Sequence, residues 1–259
     1  MNLNYIDIHS HIQGKEYDSD RAELLSRMKE RGIGTIVVGV DKKTSVDAIA
    51  LAEQHENLWA CIGVHPNDNL TEEFDSAWFR ENAQHTKVVA IGECGLDYFR
   101  REKTNEEIRR QEDRFRAQIE IAIEMQLPLM LHIRDAHEDA LRVLGEYKER
   151  HGDSLFGNVH FFTASSTVAR QYIHLGFSVS VPGVVTFADE VAEAIRDIPL
   201  DWIHAETDSP FAAPAPHRGK RNEPTLVTEV VQKIAEIKKI GEAEAANTIR
   251  KNNKRLFGV

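Results

Sequence analysis

Short apolar runs rich in Val and Ile recur along this chain at intervals of roughly 25 to 40 residues, and charged segments with helical spacing of their apolar positions fill the gaps. Runs without polar alternation read as parallel strands buried on both faces. They are predicted at Tyr5–His9, Thr35–Val40, Leu58–Val64, Val88–Glu93, Pro128–His132, Asn158–Phe161, Phe177–Val181 and Trp202–Glu206. The clearest predicted helices are Arg21–Arg31, Lys43–Glu56, Glu106–Met125, Ala136–His151 and Thr225–Ile240. Asn105 is the expected N-cap of the long helix before Met125, and Gly32 the expected stop of the first. Eight strands alternating with helices is the rhythm of an α/β fold of the (β/α)8, or TIM barrel, type. A last helix, Glu242–Leu256, is expected to pack as an appendage.

Composition narrows this picture. At 259 residues, with 41% hydrophobic and 29% charged, the chain suits one barrel domain spanning 1–259. It has no apolar run long enough to span a membrane and no N-terminal signal pattern. Cys61 and Cys94 lie within apolar runs and read as free buried thiols of a cytoplasmic protein. A net charge of −10 argues against coating of duplex DNA, though not against a nucleic-acid substrate whose phosphates meet divalent ions and one basic loop.

Chemistry is expected at the C-terminal strand ends. His9 and His11, two apart on the first strand, face the same way and can reach one ion, and Asp7 is expected to point with them. Glu93 ends the fourth strand, His132 the fifth, His160 lies near the end of the sixth, and Asp208 follows the eighth. Singly, each has a plain structural reading: a polar loop pair, a core histidine, a helix cap. Six such residues at five strand ends favour a metal centre. Imidazole with carboxylate suits Zn or Mn, and Mg where carboxylate and water dominate. Glu93, charged at the end of an apolar strand, is the natural bridge between two ions. Two ions about 3.5–4 Å apart activate a water and clamp an in-line displacement at phosphorus.

These residues lie in motifs that resemble the TatD family of metal-dependent deoxyribonucleases, among the amidohydrolase-like barrels. The motifs are Asp7-Ile-His-Ser-His11, Gly63-Val-His-Pro66, Ile91-Gly-Glu-Cys-Gly-Leu-Asp-Tyr98, the run Leu127–Ala136, His160-Phe-Phe-Thr163, Glu206-Thr-Asp-Ser-Pro-Phe211, Pro216–Pro224 and Asn252-Asn253. The resemblance implies one divalent ion on His9, His11, Glu93 and Asp208, and a second on Glu93, His132 and His160. It implies 3′-5′ exonuclease action on single-stranded or end-directed DNA, with Mg or Mn in turnover and Zn possible as bound; a monomer is expected, although the sequence leaves oligomeric state open. Glu93 and Asp208 would be the catalytic pair, Asp208 orienting or deprotonating the attacking water. One departure is visible: Phe161 and Ala164 stand where the family has a small or sulfur residue and a glycine. Phe161 is expected to point away from the site and Ala164 to stiffen the loop.

Substrate contacts are expected from His65, Arg134 and Tyr98, the last by stacking on a base. The basic cluster His217, Arg218, Lys220 and Arg221 would guide the strand at the barrel mouth. Two rival readings remain open here: an amidohydrolase or lactonase on the same barrel, and a non-catalytic metal-dependent binding protein.

Overall fold

The structure is a computed structural model that describes residues 3–67, 74–99 and 103–259. Eight strands form one parallel sheet in sequence order: β1 (Tyr5–Ser10), β2 (Ile33–Val38), β3 (Leu58–Ile62), β4 (Val88–Asp97), β5 (Leu129–Arg134), β6 (Gly157–Val159), β7 (Phe177–Val181) and β8 (Ile203–Ala205). Around them lie α1 (Arg21–Arg31), α2 (Lys42–Glu53), α3 (Ser76–Asn82), α4 (Asn105–Met125), α5 (His137–His151), α6 (Ser166–His174), α7 (Asp189–Asp197), α8 (Val227–Lys238) and α9 (Glu242–Phe257). This is the expected TIM barrel.

The ring closes beyond the regular part of β8. β8 and β1 meet just beyond the end of β8, through a parallel bridge between Ser10 and Ser209. His11 N donates to Ser209 O at 2.8 Å, and Asp208 N donates to His9 O at 2.9 Å. The bonds that shut the barrel are therefore the bonds that set three candidate ligands side by side.

Strands buried on both faces need two cores, and two are present. The larger lies between the barrel wall and the helices, and the smaller fills the barrel with Ile6, Ile8, Ile36, Val38 and Met130. Phe257 from α9 belongs to this inner core, flanked by Leu3, Leu256 and Val259. The last helix is thus a plug for the barrel floor, and not the appendage its position in the sequence suggests. Asn252 Nδ2 donates to Leu200 O and Ile203 O, both at 2.8 Å, and His204 Nδ1 donates to Asn253 Oδ1 at 2.6 Å.

Local signals behave largely as expected. Gly32 ends α1 in the left-handed region at φ 65°, where a residue without Cβ is unstrained. The cap of α4 is Thr104, whose Oγ1 accepts from Glu107 N at 3.2 Å, and not Asn105, which is the first helical residue. A hydroxyl one position earlier reaches the free N–H groups better than the amide within the helix.

Candidate metal centre

His9 is buried in β1, and His11 lies one residue past its end. The β1–β2 register shifts between Asp7 and Ser10, so the strand is irregular where it carries the histidines. Asp7 does not join them. Its carboxylate accepts from His9 N at 3.1 Å, Thr207 N at 2.9 Å and Thr207 Oγ1 at 2.5 Å. It braces β1 against the segment after β8, and burial pushes its pKa up to about 8 against those bonds.

Glu93 lies within β4 and not at its end, since the strand runs on to Asp97. The β4–β5 register shifts between Gly92 and Cys94, which turns the Glu93 carboxylate into the barrel mouth. Gly92 permits this approach, because a Cβ there would run into Met130 O. The two carboxylate oxygens face different partners. Oε1 is 2.8 Å from His132 Nδ1 and 2.9 Å from His160 Nε2. Oε2 is 3.3 Å from His9 Nε2 and 3.8 Å from His11 Nε2. Asp208 Oδ1 closes the second group, at 3.4 Å from His11 Nε2 and 3.7 Å from His9 Nε2. The His9 and His160 rings stack across the two groups at 3.9 Å. Burial alone would raise the Glu93 pKa, but His160 and the hydrogen bonds from His132, His160 and His9 outweigh it and hold the group well below the carboxylate range. Asp208 is lowered in the same way, its burial outweighed by His11, His9 and His160.

The outer nitrogens fix the inner ones. His11 Nδ1 donates to Val38 O at 2.8 Å, leaving its Nε2 lone pair toward Glu93 and Asp208. His132 Nε2 meets Asp97 Oδ2 at 3.2 Å, and His160 Nδ1 faces Glu206 Oε1 at 3.4 Å. Such carboxylate–imidazole pairs set the tautomer and raise the basicity of the inner nitrogen. Asp97 and Glu206 were not singled out from the sequence, although each is a carboxylate at the end of a largely apolar strand run. Burial would raise the Asp97 pKa, yet the bonds from His132 and Phe99 N bring it down to about 2. Glu206 is further held by Phe161 N at 2.7 Å and Ser180 Oγ at 2.5 Å.

A cavity of about 810 Å³ opens over the centre, with His65, Arg134, Phe161 and Phe211 in its wall. His65 is buried, its Nε2 at 3.7 Å from Glu93 Oε1. Arg134 lies with its guanidinium 3.7 Å from the Phe99 ring centroid. Tyr98 is placed differently from the expectation. It is 8% exposed, its hydroxyl donates to Asp139 at 3.1 Å, and Lys103 covers its ring, so packing occupies it. Phe161 also departs from expectation. β6 ends at Val159, Phe161 has φ 49°, and it lines the cavity, because strand alternation no longer applies once the strand has ended. His217, Arg218 and Lys220 lie outside the cavity wall, with Arg218 over the Phe187 ring at 3.9 Å. Arg221 is held by Asp20 at 2.5 Å and packs over Tyr17, a structural post.

Comparison with known proteins finds relatives that match nearly the whole chain. The sequence model of the family described as TatD related DNase matches residues 6–258. The chain is 42% identical to the uncharacterized metal-dependent hydrolase YabD of Bacillus subtilis, with 98% of each chain covered. It is 34% identical to the 3′-5′ ssDNA/RNA exonuclease TatD of Cronobacter sakazakii, with 97% of each covered. Among solved structures it resembles YJJV, a TatD homologue of Escherichia coli, with a TM-score of 0.89, 27% identity and all of both chains covered. With family match, full-length relatives and barrel in agreement, this chain belongs to the TatD-related DNase family of metal-dependent hydrolases.

Proposed function

We propose that this chain is a phosphodiesterase that removes nucleotides from the 3′ end of single-stranded DNA, working as a single-domain monomer with two divalent ions. The observation that carries the reading is the division of the Glu93 oxygens between two histidine groups. The donor set fits two cations. The His9 and His11 Nε2 atoms lie 3.2 Å apart, and they lie 3.3 and 3.8 Å from Glu93 Oε2, close enough for one cation to take all three. The ligands would be His9, His11, Glu93 and Asp208 for one ion, and Glu93, His132 and His160 for the other. Mixed imidazole and carboxylate donors suit Mn or Zn, with Mg completed by water. Bound divalent ions would polarise a phosphoryl oxygen and make water more acidic.

The chain's own groups supply the remainder. Asp208 is 16% exposed in its side chain and lines the cavity, so it can orient a water and accept its proton. Glu93 is enclosed and holds the two histidine groups together. His65, beside Glu93 and in the cavity wall, would donate to a phosphate or leaving oxygen. Arg134 supplies a permanent cation for a non-bridging oxygen. His217, Arg218 and Lys220 would act as an outer guide for the strand.

The test is a substrate panel of single-stranded DNA, duplex DNA, RNA, a carboxylic ester and an amide, each with Mg, Mn and Zn, alongside the metal content of the protein. The reading expects shortening of single-stranded DNA from its 3′ end. Turnover of the amide or ester alone would transfer the assignment to an amidohydrolase or lactonase, and metal-dependent binding without turnover to a binding protein.

A further inference from the structure

Four large apolar side chains stand exposed among the described residues, Val46, Phe99, Phe187 and Phe211, and the three aromatic ones all follow C-terminal strand ends. Single exposed hydrophobics need no explanation. Phe99 and Phe211 differ in being the two most exposed of the set, with Phe187 at 38%, and in that their backbone N–H groups are held by Asp97 and Asp208 beside the histidine cluster. Phe211 N donates to Asp208 O at 2.9 Å. Its carbonyl accepts from the buried Asn222 Nδ2 at 2.7 Å, and the same amide group reaches Thr207 O at 2.8 Å. The ring is nonetheless 59% exposed, in the cavity wall and 6.3 Å from the His11 ring. Phe99 N donates to Asp97 Oδ1 at 2.9 Å, and its ring is 60% exposed. Over that ring lies Arg134, whose guanidinium makes no ion pair with a described residue.

Each ring is therefore tethered to a carboxylate-bearing residue of the metal centre, Phe211 through Asp208 and Phe99 through Asp97. Phe211 lines the cavity 6.3 Å from the His11 ring, and Phe99 lies outside the wall but stacks on Arg134, which lines it, and is bonded to Asp97, which meets His132. We propose that Phe211 and the Phe99–Arg134 pair form a two-sided stacking clamp for unpaired bases, one base on each side of the phosphodiester at the centre. The proposal rests on the phosphodiesterase reading above and names what that site selects. A duplex hides its base faces, whereas an unpaired end offers them, and stacking tolerates any base. The Phe99 and Phe211 N–H groups are already bonded, which limits the backbone entropy lost when a base lands on either ring. The Arg134 guanidinium, stacked on Phe99, adds a cation for the adjoining phosphate. The clamp also suits a chain of net charge −10, which must hold a polyanion by more than charge.

The experiment uses the metal-loaded protein and a single strand with phosphorothioate terminal linkages, so that binding is read without cleavage. 2-Aminopurine is placed at the terminal or the penultimate position. Wild type should quench the fluorescence at both positions. Phe211→Ala and Phe99→Ala should each restore it at one, and weaken affinity roughly 5- to 100-fold with the salt slope unchanged. Arg134→Gln should flatten that slope by about 0.7. Metal content equal to wild type in both Phe variants reports an intact centre. Quenching that survives in both variants overturns the clamp, as does affinity lost only together with the metal. Wild type that cleaves an unmodified strand without quenching also overturns the clamp, yet leaves the phosphodiesterase reading intact. Quenching in a protein that hydrolyses no phosphodiester supports the stacking surface and ends the phosphodiesterase reading.

Discussion

Glu93 is where the two histidine groups meet, and Glu93→Gln keeps its shape while removing the charge. Activity should fall on the order of 10²-fold or more, and metal content per chain should drop, read by elemental analysis beside the rate. Near-normal turnover with both ions retained would defeat the bridging role. Asp97 acts one step back. Asp97→Asn leaves an acceptor for His132 Nε2 but removes the charge that makes the inner nitrogen basic. Metal affinity should weaken about 10- to 100-fold in competition with a chelator, with much of the rate recovered at saturating metal. Unchanged affinity would show that the Asp97 charge does not tune His132 and that the carboxylate serves the local bonds to Phe99 N and Asn67.

At the scale of elements, α9 carries a pH dependence. His204 on β8 is 1% exposed and bonds Asn253 of α9. Burial lowers its pKa to about 4, Asn253 opposing and Arg255 adding to the shift. A folded pKa below the unfolded value means that the unfolded chain takes the proton first as pH falls. The contribution of neutral His204 is therefore whole above about pH 6.5 and is lost progressively toward pH 4, by about 3 kcal/mol as an order of magnitude. The stability gap between wild type and His204→Gln, from urea midpoints, should shrink by that order between pH 7 and pH 4. A constant gap would place the proton elsewhere.

Two outcomes belong to the whole molecule. Ions that bind only the folded chain stabilise it by mass action, about 2.7 kcal/mol at a hundredfold excess over Kd. Exhaustive chelation should therefore abolish hydrolysis and lower the Tm together, and Mg or Mn should restore both. Full activity without detectable metal would remove the proposed chemistry. Changing Arg218 and Lys220 together to Ala should raise KM for DNA and flatten its salt dependence, with metal content unchanged. Since both side chains lie outside the cavity wall, a loss of metal in this variant would show that the loop supports the centre itself.

Periodicity and strand-end chemistry made the barrel legible, because buried parallel strands leave continuous apolar runs and their ends are the places where charge appears. All six ligand candidates, His9, His11, Glu93, His132, His160 and Asp208, were legible for that reason, and the structure draws them into one cluster. What linear sequence does not carry is direction. Asp7 shares a strand with His9, yet Thr207, 200 positions away, takes its carboxylate. Phe161 turns into the cavity because β6 stops two residues before it. Tyr98 is buried and occupied by Asp139 and Lys103, while its neighbour Phe99 is exposed with Arg134 over its ring. The sequence by itself determined the barrel and the kinds of atoms at its mouth. Only the tertiary structure decided which neighbour each side chain meets, since barrel closure and register shifts join residues far apart in the chain.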